Sequence, residues 1–471
     1  MTRAPFVLLI AAIIISGCGA PAPSTPEPAT ATATVTSIPT ATLAPTKVPF
    51  PTSTPIPTPV PGILYVDPKT SLGPISPLIY GSNYGPWLVV SLDMTPAVQD
   101  LGLTILRFPA GEWGDRNDVR GYLLDAFMDF ARKAGATLMF SVRMLDGNPA
   151  QAAAFVQYAK DMKYDIQYWS IGNEPTLYNA VMETRGETYD IDRFNKEWRT
   201  FAEAMKAVDP TIKLVGPEIN QFSYSTESGA TTNFGERDEM WMKEFLKVNG
   251  DLVDVVSFHR YPFPITNQSG PPTFDELRTN AQEWDKIIIH ARELIHEYAG
   301  RDIPIAVTEF NSMYGTPVGG ETTPDSHYNA IWMADVLGRM IKNGVFMANE
   351  WALATKGGSG GSGIVGQYEV LPAYYTYQMY KKFGNELIYS SSDDPDLSIY
   401  AARREDGALT LMIINLALEE KTKAIQIGDQ TPVQAEAWLF DPDHKAETIG
   451  TVALSTELAF PPQSITLLIV Q

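Results

Sequence analysis

The chain has 471 residues and a formal net charge of −20 at pH 7, and 44% of its residues are hydrophobic. This length allows a large core and more than one domain. The acidic balance argues against nucleic acid or an anionic membrane surface as a partner. A single cysteine excludes a disulfide framework within the chain.

The N-terminal residues resemble a bacterial lipoprotein signal. Arg3 precedes an apolar stretch from Phe6 to Ile15, which is too short for a bilayer that needs about 20 residues. Removal of residues 1–17 leaves Cys18, the one cysteine, at the new N-terminus. We therefore predict a signal peptide over residues 1–17 and a lipid anchor on Cys18, at the cell surface or the extracellular side of the bacterial membrane. An ordinary signal peptide that is removed together with Cys18 is the alternative.

Residues 18–61 are rich in proline, threonine, alanine and serine. Such a segment cannot bury a core, and its prolines lack backbone donors, so it predicts an extended and semi-rigid linker. At about 3.1 Å per residue, the linker can hold a domain on the order of 100 Å from a membrane. We interpret it as a passive spacer without a binding role.

Apolar runs of strand length alternate with helical segments between about residue 78 and residue 352. Strands that are buried on both faces and alternate with helices indicate a parallel sheet, and eight of them favour a closed barrel. We therefore predict an α/β fold with a (β/α)8 TIM barrel over residues 62–380. The predicted strands are Leu78–Ser82, Thr104–Phe108, Thr137–Val142, Ile166–Ile171, Lys213–Gly216, Val253–Phe258, Ile303–Thr308 and Val345–Asn349.

After Tyr380 the pattern changes to short strands with alternating side chains. Glu405-Asp406-Gly407, between the first two of these strands, is a strong hairpin signal. We predict a C-terminal antiparallel β-sandwich over residues 381–471, with residues 63–66 as a candidate additional strand. Its predicted strands are Leu397–Arg403, Leu409–Leu416, Lys423–Ile427, Ala435–Phe440 and Ser464–Val470.

Polar and aromatic side chains are concentrated at the C-terminal ends of the predicted barrel strands, where barrel active sites lie. Glu174 follows the fourth strand and Glu309 follows the seventh. Hydrolysis of a glycosidic bond needs one carboxyl group to protonate the leaving oxygen. A second carboxylate must stabilise or attack the developing positive charge at the anomeric carbon. Two glutamates at one end of a barrel can supply both groups.

This pattern resembles the retaining glycoside hydrolases of the large (β/α)8-barrel superfamily, whose catalytic glutamates lie on strands four and seven. The motifs that carry the resemblance are Gly172-Asn173-Glu174-Pro175, Thr308-Glu309 and His259-Arg260-Tyr261. Leu371–Tyr380 and the sandwich that follows are similar to the layout of α-L-arabinofuranosidases, β-xylosidases and β-glucuronidase or heparanase-like enzymes. The resemblance implies that Glu174 is the general acid/base and that Glu309 is the nucleophile.

The same resemblance implies supporting roles for other residues. Asn173 is expected to bind the sugar hydroxyl beside the anomeric carbon, and Arg107 and Tyr261 are expected to donate to the nucleophile. His259 is expected to line the sugar site, with a hydrogen-bonded structural histidine as the alternative. Trp351, after the eighth strand, is a candidate stacking surface for a sugar ring.

Several charged residues at the same end remain open. Glu112, Asp115 and Glu218 are candidates for sugar contacts, although solvated loop charges are the commoner case. A uronic acid substrate needs a cation, for which Arg260 and Lys356 are the nearby candidates. The histidines show no metal-ligand spacing, and we predict neither a metal nor another cofactor.

The sequence leaves three functional interpretations. The favoured one is an exo-acting arabinofuranosidase, xylosidase or glucuronidase that cleaves extracellular polysaccharide or oligosaccharide. An endo-acting glucanase on the same fold is the second. The third is a carbohydrate-binding lipoprotein without catalysis, against which the pair Glu174 and Glu309 argues.

Overall fold

The computed structural model of the protein describes residues 60–223, 234–263, 270–314, 319–355, 362–429, 434–455 and 457–471. The predicted signal peptide, Cys18 and the linker up to residue 59 lie outside these residues. Among the helices in the described ranges, none has the length and apolar character needed to cross a bilayer.

The strands and helices follow one another in the alternation that the sequence predicts. The strands are β1 (Ile63–Pro74), β2 (Gly81–Asn83), β3 (Ile105–Phe108), β4 (Thr137–Val142), β5 (Tyr168–Ile171), β6 (Lys213–Ile219), β7 (Val255–Arg260), β8 (Ile305–Phe310), β9 (Met347–Glu350), β10 (Glu386–Ser391), β11 (Leu397–Arg403), β12 (Leu409–Asn415), β13 (Lys421–Ile427), β14 (Gln434–Phe440), β15 (Lys445–Ala453), β16 (Leu458–Phe460) and β17 (Ser464–Val470). The α-helices are α1 (Thr95–Asp100), α2 (Gly111–Arg116), α3 (Gly121–Ala134), α4 (Pro149–Asp161), α5 (Tyr178–Glu183), α6 (Ile191–Val208), α7 (Phe234–Asn249), α8 (Phe274–Ala299), α9 (His327–Lys342) and α10 (Pro372–Tyr380).

Strands β2 to β9 form a closed parallel barrel, which confirms the predicted fold class. Each strand pairs with the next one in the chain, and β9 pairs with β2 to close the barrel. The predicted strands and the observed ones coincide to within a few residues. The largest differences are of three residues: β2 begins at Gly81 rather than Leu78, and β6 ends at Ile219 rather than Gly216.

The barrel interior has an apolar layer with a polar layer beyond it. Ile105 and Val255 belong to a buried apolar cluster inside the barrel. Alternate residues of a strand face the same side, so Arg107 follows Ile105 on that side, and Ser257 and then His259 follow Val255. The polar layer therefore lies toward the C-terminal strand ends, where the candidate site residues meet.

The helices cover the outside of the barrel with the apolar faces that their periodicity predicts. In α6, Phe194, Trp198, Phe201 and Met205 are all buried. Helix α8 begins with a capping box, in which the Thr273 side chain and Glu276 satisfy each other's backbone N–H groups. The capping box fixes where α8 begins.

The C-terminal region is a curled, mostly antiparallel sheet of nine strands, and it matches the predicted β-sandwich class. Its inner faces bury a separate apolar core that includes Leu64, Ile399 and Leu411. The opposite face packs on the barrel, where the Tyr400 hydroxyl donates to Asp335 Oδ1 at 2.7 Å. β1 joins this sheet, antiparallel to β10 and parallel to β13.

Candidate active site

A sharp backbone turn after β5 places Glu174 at the mouth of the barrel. Gly172 and Glu174 both have positive φ, at 81° and 49°. A Cβ at Gly172 would lie 2.6 Å from the Tyr178 hydroxyl oxygen, so a side chain does not fit there. The turn leaves the Glu174 side chain 14% exposed, whereas the surrounding groups are almost fully buried.

Glu309 lies in β8 and is held by two strong donors. Arg107 Nη1 donates to its Oε1 at 2.6 Å, and the Tyr261 hydroxyl donates to its Oε2 at 2.8 Å. Both partners are buried, and the Glu309 side chain itself is 5% exposed. Short hydrogen bonds to a carboxylate hold it in one orientation and stabilise its ionised form.

Arg107 connects the two glutamate positions. Its Nη2 donates to Asn173 Oδ1 at 2.8 Å and lies 3.1 Å from Glu218 Oε2. Its Nη1 also donates to Asn83 Oδ1 at 3.2 Å. The planar guanidinium, which presents donors in a rigid fork, therefore orients Asn173 and Glu309 together.

His259 lies between three carboxylates. Its Nδ1 is 3.0 Å from Glu174 Oε1 and 3.7 Å from Glu309 Oε2, while its Nε2 is 2.9 Å from Glu218 Oε2. Burial lowers the pKa of His259, but the three negative groups outweigh burial and raise it to about 9. The imidazole is therefore positively charged at neutral pH.

The two candidate catalytic carboxylates lie close to each other. One oxygen of Glu174, one oxygen of Glu309 and a ring nitrogen of His259 all lie within 4.8 Å of one another. Burial raises the pKa of Glu309, and the positive groups His259 and Arg107 oppose that rise. The pKa of Glu309 remains above its ordinary value, and His259 and Arg107 favour the ionised form against the effect of burial.

The described residues hold one group of three side chains close enough to surround a metal ion, namely Glu174, His259 and Glu309. Within this group His259 Nδ1 already bonds Glu174 Oε1 at 3.0 Å, and Arg107 places a positive charge 2.6 Å from Glu309. A dication there would meet both the imidazolium and the guanidinium. We assign no metal to this site.

Two acidic residues that the sequence leaves open are buried at the centre of the site. Glu218 is fully buried in β6, so the interpretation as a solvated loop charge is wrong for it. Asp115 is 3% exposed, and its Oδ2 accepts the Asn173 backbone N–H at 2.6 Å. Burial raises the pKa of Asp115 to about 6. Glu112 is exposed and pairs with Arg116, as expected for a surface charge.

The Asp115 contacts hold the turn that carries Asn173. Its Oδ1 accepts the backbone N–H of Met144 at 2.9 Å, and its other oxygen bonds the Tyr178 hydroxyl. Position alone could have pointed to Glu218, which comes two residues after the predicted strand Lys213–Gly216, whereas Asp115 lies in α2, seven residues after the end of β3. Neither acid lies in a recognisable sequence motif, so the sequence did not distinguish them from surface charges.

Trp351 follows β9 and lies at the side of Glu309. Its backbone N–H donates to Phe310 O at 3.0 Å, and its ring stacks on Trp87 with centroids 5.7 Å apart. A Cβ at Gly111 would lie 2.5 Å from the Trp351 ring. The two tryptophans therefore form a stacked aromatic pair at the C-terminal end of β9.

The two cations proposed for a uronic acid fall in different places. Arg260 is 5% exposed. Its Nη1 donates to Phe222 O and its Nη2 to Glu283 Oε2, both at 3.1 Å. It is therefore committed to the wall of the barrel, away from a substrate. Lys356 lies outside the described residues.

Glu350, the last residue of β9, is an unusual buried acid. It is fully buried, and its side chain accepts from Ser82 Oγ at 3.2 Å and from Asn311 Nδ2 at 3.1 Å. Burial raises its pKa well above the usual value and so favours the protonated form in the folded protein. Unfolding above about pH 4.5 then releases a proton.

Glu350→Gln should therefore remove a pH dependence of stability. With a raised folded pKa, the free energy of unfolding falls as pH rises from about 4.5 toward the folded value, by at most about 1.4 kcal/mol per pH unit. The amide keeps the shape and has no proton to lose. Urea denaturation at pH 5, 6.5 and 8 should show that the free energy of unfolding of the variant increases relative to that of the parent as pH rises. The exposed Glu112→Gln variant is the control. The same dependence of the free energy of unfolding on pH in the parent and in Glu350→Gln would contradict this assignment.

The chain matches no protein-family model. It is 25% identical to heparanase from Bos taurus over 319 residues, which are 62% of this chain and 53% of the bovine protein. It is 24% identical to the probable α-L-arabinofuranosidase C of Aspergillus clavatus over 182 residues, which are 29% of this chain and 35% of the fungal protein. The chain thus spans about half of the bovine relative and about a third of the fungal one.

Solved structures share the fold at low sequence identity. The α-L-arabinofuranosidase of Thermotoga maritima has a TM-score of 0.67 at 19% identity, covering 87% of this chain and 99% of that one. A bifunctional glucanase-xylanase from a metagenome library has a TM-score of 0.66 at 18% identity, with the same coverage of 87% and 99%. A xyloglucanase from Paenibacillus polymyxa has a TM-score of 0.65 at 16% identity, again covering 87% and 99%. The chain therefore has the barrel-and-sandwich fold of these glycoside hydrolases.

Proposed function

We propose that the chain is a retaining glycoside hydrolase with Glu174 as general acid/base and Glu309 as nucleophile. The observation that carries this proposal is the approach of one oxygen of each carboxylate to within 4.8 Å. Retaining enzymes hold their carboxyl groups about 5–5.5 Å apart, whereas inverting enzymes leave about 6.5–9.5 Å for a water molecule. The short separation and the strand positions both support double displacement.

In the first step, Glu309 attacks the anomeric carbon while Glu174 gives its proton to the leaving oxygen. Arg107 and Tyr261 hold Glu309 from both oxygens, so the attacking carboxylate is oriented before substrate arrives. In the second step, Glu174 takes a proton from water, which attacks the glycosyl-enzyme. The product keeps the anomeric configuration of the substrate.

Asn173 and Trp351 are the candidates for direct substrate contact. Arg107 donates to Asn173 Oδ1, so the Asn173 Nδ2 group is the part of the amide left to donate to a sugar hydroxyl. A hydrogen bond to the hydroxyl beside the anomeric carbon strengthens as charge develops in the transition state. The Trp351 ring offers an apolar face for the sugar ring.

We propose that the chain acts in the exo mode on a pentoside of the arabinofuranoside or xyloside type, within an extracellular polysaccharide or oligosaccharide. The names of the arabinofuranosidase relatives support this class. The commitment of Arg260 to Glu283 weighs against a uronic acid, for which Lys356 remains as the sequence candidate. Endo action on a glucan or xylan is the alternative, and the glucanase-xylanase and xyloglucanase neighbours support it.

The proposed location is the outer surface of a bacterial membrane. A lipid on Cys18 and the linker over residues 18–61 support it from the sequence. In this arrangement the membrane is a partner only through the lipid, and the substrate is a carbohydrate outside the cell. A chain with Cys18→Ser is then expected in the soluble fraction after export.

A panel of aryl glycosides and polysaccharides tests the proposed function. We expect turnover of an aryl arabinofuranoside or xyloside above that of the matching glucuronide. Proton NMR during the first minutes should show a product with the anomeric configuration of the substrate. Binding without turnover on every substrate would refute hydrolysis and favour a carbohydrate-binding lipoprotein. Turnover with inverted product would refute the double displacement alone.

A further inference from the structure

Glu218 is a third carboxylate at the centre of the site, and the proposed reaction does not assign it a role. It is fully buried in β6 and has a positive φ of 58°. Its backbone oxygen accepts the N–H of Glu174 at 3.0 Å. Glu218 therefore contacts the turn that carries the acid/base, and it lies too deep to take part in the displacement itself.

The Glu218 side chain receives donors from several strands at once. His259 Nε2 lies 2.9 Å from its Oε2, and Thr308 Oγ1 donates to the same oxygen at 2.7 Å. Ser257 Oγ donates to its Oε1 at 3.2 Å, and Arg107 Nη2 is 3.1 Å away. Burial opposes ionisation, but Arg107 and then His259 outweigh it and lower the pKa of Glu218. Glu218 is thus a buried, ionised acceptor.

This acceptor determines how His259 faces the catalytic pair. A carboxylate at 2.9 Å requires a proton on Nε2. The other ring nitrogen, Nδ1, is then the atom that faces Glu174 Oε1 at 3.0 Å. With protons on both nitrogens, the ring bridges Glu218 and Glu174 as an imidazolium.

We propose that Glu218 is a positioning residue that keeps His259 doubly protonated and aimed at Glu174. This inference rests on the proposed hydrolysis. When Glu174 has given its proton to the leaving oxygen, the His259 Nδ1–H donates to the new carboxylate and stabilises it. Glu174 later recovers a proton from water, and His259 keeps both of its protons throughout. Glu218 acts through His259 and does not touch the sugar.

The charge on His259 depends on every group that faces it. Glu174 approaches it from the end of β5, Glu218 from β6 and Glu309 from β8. Arg107, on β3, pairs with two of these carboxylates, Glu218 and Glu309. Tyr261, which directly follows β7, donates to Glu309 rather than to His259. Loss of the Glu218 charge, as in Glu218→Gln, leaves two carboxylates facing His259 and replaces the charged acceptor of its Nε2–H with a neutral one.

The titration of His259 in the full chain tests the proposal without the need for turnover. The chain has five histidines, so their ring signals can be followed by NMR, and His259→Asn identifies the one of interest. We expect a midpoint for His259 near 9 in the parent. In Glu218→Gln the midpoint should fall toward the ordinary value of about 6.5. Glu283→Gln, which removes a carboxylate paired with Arg260, is the matched control and should leave the midpoint in place.

Kinetics supply the second readout. In Glu218→Gln, kcat at pH 8 should fall at least about tenfold, with KM unchanged and the alkaline limb displaced to lower pH. Glu218→Asp, which restores the charge, should recover part of the loss. A parent midpoint near 6.5, or the same midpoint in Glu218→Gln, overturns the proposal, and the parent titration decides it even if the variant fails to fold. Absence of turnover on every substrate would instead refute the proposed function, so the two failures are distinguishable.

Discussion

Glu309→Gln should reduce kcat on every substrate by about 10⁴-fold or more. The amide has nearly the shape of the carboxylate, and its one oxygen can still accept from Arg107, which lies 2.6 Å from Oε1, while its NH2 group faces the Tyr261 hydroxyl oxygen, 2.8 Å from Oε2 in the parent. What it loses is the negative charge that attacks the anomeric carbon. Stopped-time and steady-state kinetic assays with an aryl glycoside measure the loss of kcat. An unchanged melting temperature shows that the loss is chemical.

Glu174→Gln is the matched comparison, because the two carboxylates have different tasks. An aryl group with a very good leaving oxygen needs little protonation, so the first step survives and the glycosyl-enzyme accumulates. Added azide should then restore turnover and form a glycosyl azide. Azide should not restore Glu309→Gln in this way. Equal losses in both variants, with no azide effect in either, would contradict the assignment of roles, and exposed Glu112→Gln should behave as the parent.

Arg107→Met should destabilise the fold by about 3–5 kcal/mol at pH 7. The guanidinium is fully buried between Glu218 and Glu309, at 3.1 Å and 2.6 Å. Without it, two buried carboxylates lose their counter-charge while the methionine fills a similar volume. Urea denaturation gives the free energy of unfolding directly, and Arg116→Met, at an exposed ion pair, is the control.

The pH dependence of the Arg107→Met deficit provides a check on its cause. In the parent, Arg107 lowers the pKa of Glu218. This contribution is present above the unfolded value near 4.5 and is lost as pH falls through the lower folded value. The deficit of the variant should therefore be smaller at pH 4 than at pH 7. A deficit that is the same at both values would indicate lost packing rather than an unpaired charge.

The barrel could be predicted from the sequence because its strands are buried on both faces. Runs such as Thr137–Val142 contain no alternation, so their boundaries stand out, and the observed β4 has the same limits. Glu174 and Glu309 could be found because each ends such a run. Once the strands are arranged in a closed barrel, the ends must meet.

Other features were beyond the sequence for physical reasons. Gly216-Pro217-Glu218 has a proline and a charge, which favour a loop, although the segment continues β6 and is fully buried at Glu218. In β15, nearly every residue is exposed, so no apolar pattern marks the strand. Arg260 appeared to be a substrate cation because its partner, Glu283, comes from a helix that is distant from it in sequence.

The pairing of β1 determines when this protein can finish folding. Tyr65 of β1 pairs with Ser391 of β10, and the hydrogen bond from Gly62 to Asp393 spans 331 residues of chain. Contacts this distant in sequence must wait for the intervening loop to close, which slows folding. A chain that emerges N-terminus first therefore holds β1 unpaired until the sandwich strands arrive. Strand β1, at the start of the folded chain, therefore becomes stably paired only when the C-terminal sheet is completed.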